Sequence, residues 1–182
     1  MNAIPLSLTC TLKQSDTLLR IDYLVENTRN ETLFVRVRGA LLTKPSRRPY
    51  SFLRSDPLRL FLSYQEAIIP PLIEVYVPLT PPAVRLEPGE KYEDFAEIDV
   101  PVEEWHPYGP VDYPLQPEPV EVQDIEFVTE YLRQQDVTST SVYRHEAGLY
   151  VAVGEHSQRL SGTFRTPAPF TVLRRADDFF RY

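Results

Sequence analysis

One cysteine, one tryptophan, six glycines and three histidines are all that 182 residues contain of these types, and each scarcity removes a class of protein. A lone thiol, Cys10, cannot form an intramolecular disulfide, which suits a reducing compartment. It stands in register with Leu6, Leu8 and Leu12 and reads as a small apolar residue on a core-facing strand. Six glycines leave little material for a phosphate-cradling loop, and no G-x-S-x-G, P-loop or G-x-G-x-x-G pattern occurs. The histidines, His106, His145 and His156, show no i,i+4 or finger spacing. His145 and His156 flank a strand expected over 149–153, whose ends lie roughly 17 Å apart. Zinc ligands must each reach the metal at about 2 Å. No catalytic, cofactor-binding or metal-ligating residue is therefore assigned, and no cofactor is expected. No apolar run approaches the ~18 residues of a membrane span. The opening residues lack the basic and apolar stretches of a signal peptide. A cytoplasmic, membrane-free protein is expected.

Proline is abundant at 18 residues, and tyrosine and phenylalanine number 11 and 9. Proline breaks helix interiors, while aromatic and β-branched residues fit a pleated, half-buried surface. The composition predicts an all-β chain, and the length suits a single domain over 1–182. Strict alternation supports this. Leu6, Leu8, Cys10 and Leu12 share one face, and Leu19, Ile21, Tyr23 and Val25 another, with Arg20, Asp22 and Glu26 opposite. Gln14-Ser15-Asp16 and 27–31 read as turns, and Leu33, Val35 and Val37 as a third strand, so an antiparallel meander with one wet face is expected. Further strands are predicted over 58–64, 73–77, 92–100, 137–145, 149–153, 159–165 and 170–173. Residues 120–133 fit either period: Ile125, Phe127, Thr129 and Tyr131 alternate as in a strand, whereas Val122, Ile125, Val128 and Leu132 have helical spacing. The flanking β signals favour the strand.

The pattern Asp16-x-Leu18-x-x-Ile21-x-Tyr23-x-Val25-x-Asn27-Thr28, followed by Leu33-Phe34-Val35, resembles the opening of bacterial immunoglobulin-like domains, intracellular proteinase-inhibitor-like sandwiches among them. Leu86-Glu87-Pro88-Gly89-Glu90-x-Tyr92 is similar to the turn before a late strand in the same group. The resemblance spans about half the chain and implies an immunoglobulin-like antiparallel β-sandwich. It carries no activity by itself.

Charge is segregated along the chain. Residues 87–136 hold 15 acids and 2 bases, whereas 1–86 and 137–182 are both net basic. Such asymmetry marks either an electrostatic partner face or a solvated exterior. Arg36, Arg38, Lys44, Arg47, Arg48, Arg54 and Arg59, with Tyr50 and Phe52 in a Pro-rich loop, mix bases with aromatics as single-strand binders do. The overall acidity (pI ≈ 5.0) disfavours nucleic acid and points to pairing with the chain's own acids.

Pro101 to Pro119 contains six prolines in nineteen residues, which predicts an extended, polyproline-like loop inserted in the sandwich. It carries Trp105, His106, Tyr108 and Tyr113 beside Glu103 and Glu104. Stiff backbone and large aromatic rings lose little entropy on binding. These six residues, with Phe179, Phe180 and Tyr182 of the terminal aromatic cluster, are the candidate contacts of a protein partner. The expected function is a non-catalytic interaction module: an adaptor, inhibitor or neutralising protein. The rival readings are a hydrolase using Glu103, Glu104 or Asp112 beside His106, and self-assembly into a homo-oligomer.

Overall fold

The structure, a computed structural model, describes residues 6–37, 40–41, 44–45, 49–65, 69, 74, 82–106, 108, 117–137, 142–145, 148–151 and 157–174. In chain order the strands are β1 (Leu6–Gln14), β2 (Leu18–Asn27), β3 (Leu33–Arg36), β4 (Ala40–Leu41), β5 (Lys44–Pro45), β6 (Tyr50–Ser55) and β7 (Leu58–Ser63). They continue with β8 (Ala83–Leu86), β9 (Lys91–Asp99), β10 (Val102–Glu103), β11 (Glu118–Arg133), β12 (Val142–His145), β13 (Gly148–Val151) and β14 (Gln158–Arg174). A single 3-10 turn, Gln134–Asp136, is the one helical element among the described residues. No helix among them is long and apolar enough to cross a membrane. The all-β expectation holds, and the strand period wins over 120–133.

Two sheets form a sandwich. Sheet A orders β1-β2-β9 in antiparallel register. Sheet B orders β10-β14-β11-β3-β8-β13-β12, with β7 pairing β11 in parallel and β6 lying outside β7. The expected meander of the first three strands is not what forms. β1 and β2 pair, but β3 leaves for sheet B and β9 takes the place beside β2. The corner is built on Asn27, which is fully buried. Its Nδ2 donates to the carbonyls of Glu31 (2.9 Å) and Leu86 (3.0 Å), and its Oδ1 accepts from the Arg29 amide (3.0 Å). One side chain thus satisfies backbone groups that a sheet crossing strips of ladder partners. The Glu87–Glu90 turn docks on the same residue, with Gly89 (φ +80°) donating its amide to the Asn27 carbonyl.

The core lies between the sheets. Leu19, Ile21 and Val25 of β2 face Leu33, Val35, Leu60, Leu62, Ile125 and Val172 of sheet B. Tyr23 joins the layers, its ring centroid 5.1 Å from Phe127 and 6.2 Å from Tyr64. Each fully buried aliphatic here contributes about 1.5–3 kcal/mol. On β14 the two predicted strands run as one, but Thr166 to Pro169 bulge opposite Gln123 of β11. Pro167 and Pro169 have no amide to place in a ladder. Thr166 Oγ1 donates to the Gln123 carbonyl (3.0 Å) and Gln123 Nε2 to the Thr166 carbonyl (3.1 Å) instead.

β6 corrects a second expectation. Tyr50 and Phe52 belong to a strand, because Tyr50, Phe52 and Arg54 alternate with inward Ser51 and Leu53. The strand expected over 73–77 lies outside the described residues.

Candidate functional site

Pro101 and Pro107 leave between them five residues with every amide available, and these build the site. Val102 and Glu103 pair in parallel with Val172 and Leu173 of β14. Two residues on, Trp105 bridges β6: its amide donates to the Ser51 carbonyl (2.8 Å) and the Ser51 amide to its carbonyl (2.9 Å). The pairings β6–β7, β7–β11, β11–β14 and β14–β10 therefore return to β6 through Trp105. Residues 102–105 are ladder-paired rather than an extended loop, since the prolines flank this stretch instead of interrupting it.

The expected contact residues divide by burial. Glu104 is buried and its Oε1 accepts the Leu53 amide at 2.6 Å. Glu103 is exposed, and its carbonyl accepts from Ser51 Oγ (3.2 Å). His106 is 7% exposed, and its Nδ1 accepts the Tyr108 amide at 3.1 Å, which leaves the ring proton on Nε2. Burial pushes its pKa down to about 4, so the imidazole is neutral at pH 7. Trp105 and Tyr108 are half-buried. Tyr113, Phe179, Phe180 and Tyr182 lie outside the described residues, as does Asp112.

Around this segment the β6–β7 hairpin adds rings that alternation along 50–54 and 59–61 turns outward. Tyr50 meets His106 edge-on at 5.0 Å, stacks with Phe52 at 5.2 Å and touches Phe61 at 5.9 Å. His106 lies 5.8 Å from Tyr108, and Phe52 4.5 Å from Phe61. Tyr108, His106, Tyr50, Phe52 and Phe61 form one continuous strip. Burial raises the Tyr50 phenol to about 12, with Arg54 nearby opposing the shift.

At its far end the strip becomes cationic. Arg54 lies over Phe61 at 4.4 Å and Arg159 over the same ring at 5.4 Å. Both pair with Glu126, Arg54 at 3.0 Å, and Arg59 approaches the same carboxylate at 3.7 Å. Arg159 stands opposite Glu130 in the ladder yet reaches past Val128 to Glu126. Glu130 accepts from Gln65 instead.

Comparison of the chain with protein-family models, curated proteins and solved structures finds no match.

The acidic segment does not gather on one face. Glu93, Glu97 and Asp99 lie on the outer side of sheet A, Asp124, Glu126 and Glu130 on the outer side of sheet B, and Asp94 and Glu104 are buried. Arg54 and Arg59 pair with an acid of that segment, as the charge pattern predicts. A shallow depression of about 490 Å³ on sheet A is lined by Thr9, Thr11, Arg20, Asp22 and Phe95 among others. Arg20 there is already held by Asp22 (2.7 Å), Glu97 (2.9 Å) and the Phe95 ring (3.9 Å). Among the described residues no group of three or more His, Cys, Asp or Glu side chains is arranged to hold a metal.

Proposed function

We propose that this chain is a non-catalytic protein-interaction module on an immunoglobulin-like sandwich, acting in the cytoplasm as an adaptor, inhibitor or neutralising protein. Its contact surface is the aromatic strip along β6 and residues 103–108. The observation that carries this reading is the continuous strip of Tyr108, His106, Tyr50, Phe52 and Phe61, with Tyr108, Tyr50 and Phe52 half-buried, on a backbone that the Trp105–Ser51 bridge fixes. Rings on a rigid support lose little entropy when a partner covers them. Glu104 and His106 support the surface from beneath rather than offering reactive groups: each accepts a backbone amide.

The test is capture of a partner from source lysate by the full chain and by a Trp105→Ala, Tyr108→Ala double variant. Trp105 bridges Ser51 through its backbone, so the variant keeps the pairing and should keep its Tm. Loss of one captured protein at unchanged Tm is expected. Undiminished capture would remove Trp105 and Tyr108 from the contact surface. Light scattering of the same samples separates a second copy of the chain from a different partner.

A further inference from the structure

We infer that Arg54, Arg59 and Arg159 form a seat for a divalent oxyanion of the phosphate-monoester type. Three guanidiniums converge on one carboxylate, Glu126, so two positive charges remain. On the same face Asp124 stands opposite Arg165 in the ladder, and Glu130 accepts from Gln65. A carboxylate ligand would leave one charge over, whereas a phosphate dianion cancels both.

The donors are available. Among the described residues Glu126 is the one carboxylate that Arg54, Arg59 and Arg159 reach. Each guanidinium carries five N–H groups, so most donors remain after Glu126 is served. Arg59 Nε is buried with no hydrogen-bond partner, and such a group in a folded protein signals an unoccupied role. The Arg54 and Arg159 guanidiniums lie over the Phe61 ring at 4.4 Å and 5.4 Å, where the ring quadrupole attracts them. Their side chains are 37% and 40% exposed and that of Arg59 is 24% exposed, so the seat is open to solvent while Glu126, at 10%, forms its floor. Phe52, 5.8 Å from the Arg54 guanidinium, gives one side of the seat an aromatic wall.

This inference stands on charge geometry and holds whether or not the aromatic strip carries a protein partner. Titration of the full chain, followed by calorimetry and by arginine side-chain NMR at constant ionic strength, tests it with inorganic phosphate, phenyl phosphate and acetate as probes. Phosphate and phenyl phosphate should bind at least tenfold more tightly than acetate. Tighter binding of phenyl phosphate than of phosphate would identify an organic monoester, and equal binding would identify free phosphate. Arg54→Gln and Arg59→Gln should each weaken binding about tenfold, while Arg85→Gln on β8 should leave it unchanged. Glu126→Gln removes the competing negative charge and should tighten binding. Should that variant lose the fold, Arg159→Gln, at the most exposed of the three, provides the same test in the weakening direction. Binding untouched by the arginine substitutions, or no phosphate binding in the unmodified chain, would overturn the assignment.

Discussion

On the outer face of sheet A, Lys13, Arg20, Asp22 and Glu97 alternate in sign and keep contact with solvent, each charge answered by a neighbour within 3 Å. On the outer face of sheet B, Phe34, Phe61, Val128 and Leu132 are buried, and three arginines crowd onto one shielded carboxylate. The first face is the ordinary exterior of a half-buried antiparallel sheet. The second is apolar beneath its charges, so its arginines are held by rings as much as by an acid. A balanced exterior needs no ligand; a surplus fixed over aromatic rings has a reason to be there.

The largest expected effect separates the two faces by packing. Phe61→Ala empties a site 2% exposed that touches Tyr50, Phe52 and two guanidiniums. It should cost about 3–5 kcal/mol in urea denaturation. Thr11→Ala, exposed on the outer face of sheet A, should change stability by no more than about 0.5 kcal/mol. Similar costs at both positions would erase the distinction between a layered and a solvated face.

How much of this was legible follows from the range of each interaction. Alternation in β1, β2, β9 and β11 is local, and it predicts which of their residues face the core. That Asn27 turns the chain is readable as well, because Asn favours turns. That it sends β3 to the other sheet depends on the Leu86 carbonyl, 59 residues away. The role of 102–105 was hidden for a related reason. Proline density describes the segment on average, while the ladder uses four of the five residues between Pro101 and Pro107. Of the oxyanion seat, Arg54 and Arg59 stand out as bases near aromatics. Glu126 and Arg159 come from strands more than 60 residues on, and their local sequence is ordinary for an exposed strand face.

A second, smaller effect tests the strip through pH. His106 is buried in the fold with a pKa near 4, against 6.5 when unfolded. The unfolded chain therefore binds the extra proton first as pH falls, and the folded state loses stability between about 6.5 and 4. Denaturation midpoints across that window should decline by the equivalent of roughly 3 kcal/mol. His106→Gln, which keeps an acceptor for the Tyr108 amide, should flatten that part of the profile. An unchanged slope in the variant would mean that the proton is taken up elsewhere.

The smallest effect belongs to sheet A, and its smallness is what the comparison requires. Lys13 and Arg20 both hydrogen-bond Asp22 and hold its carboxyl below the ordinary carboxylate range. A lowered pKa contributes stability above the unfolded value that disappears as pH falls through the folded one. Lys13 is exposed and Arg20 and Asp22 are partly exposed, however, so solvent and salt screen most of that contribution. Asp22→Asn should shift Tm by less than about 2 °C at neutral pH, and by less still in 1 M salt. A larger, salt-resistant loss would mean that the outer face of sheet A is covered in the working protein. Its balanced charges would then belong to an interface, and the contrast with sheet B would rest on packing alone.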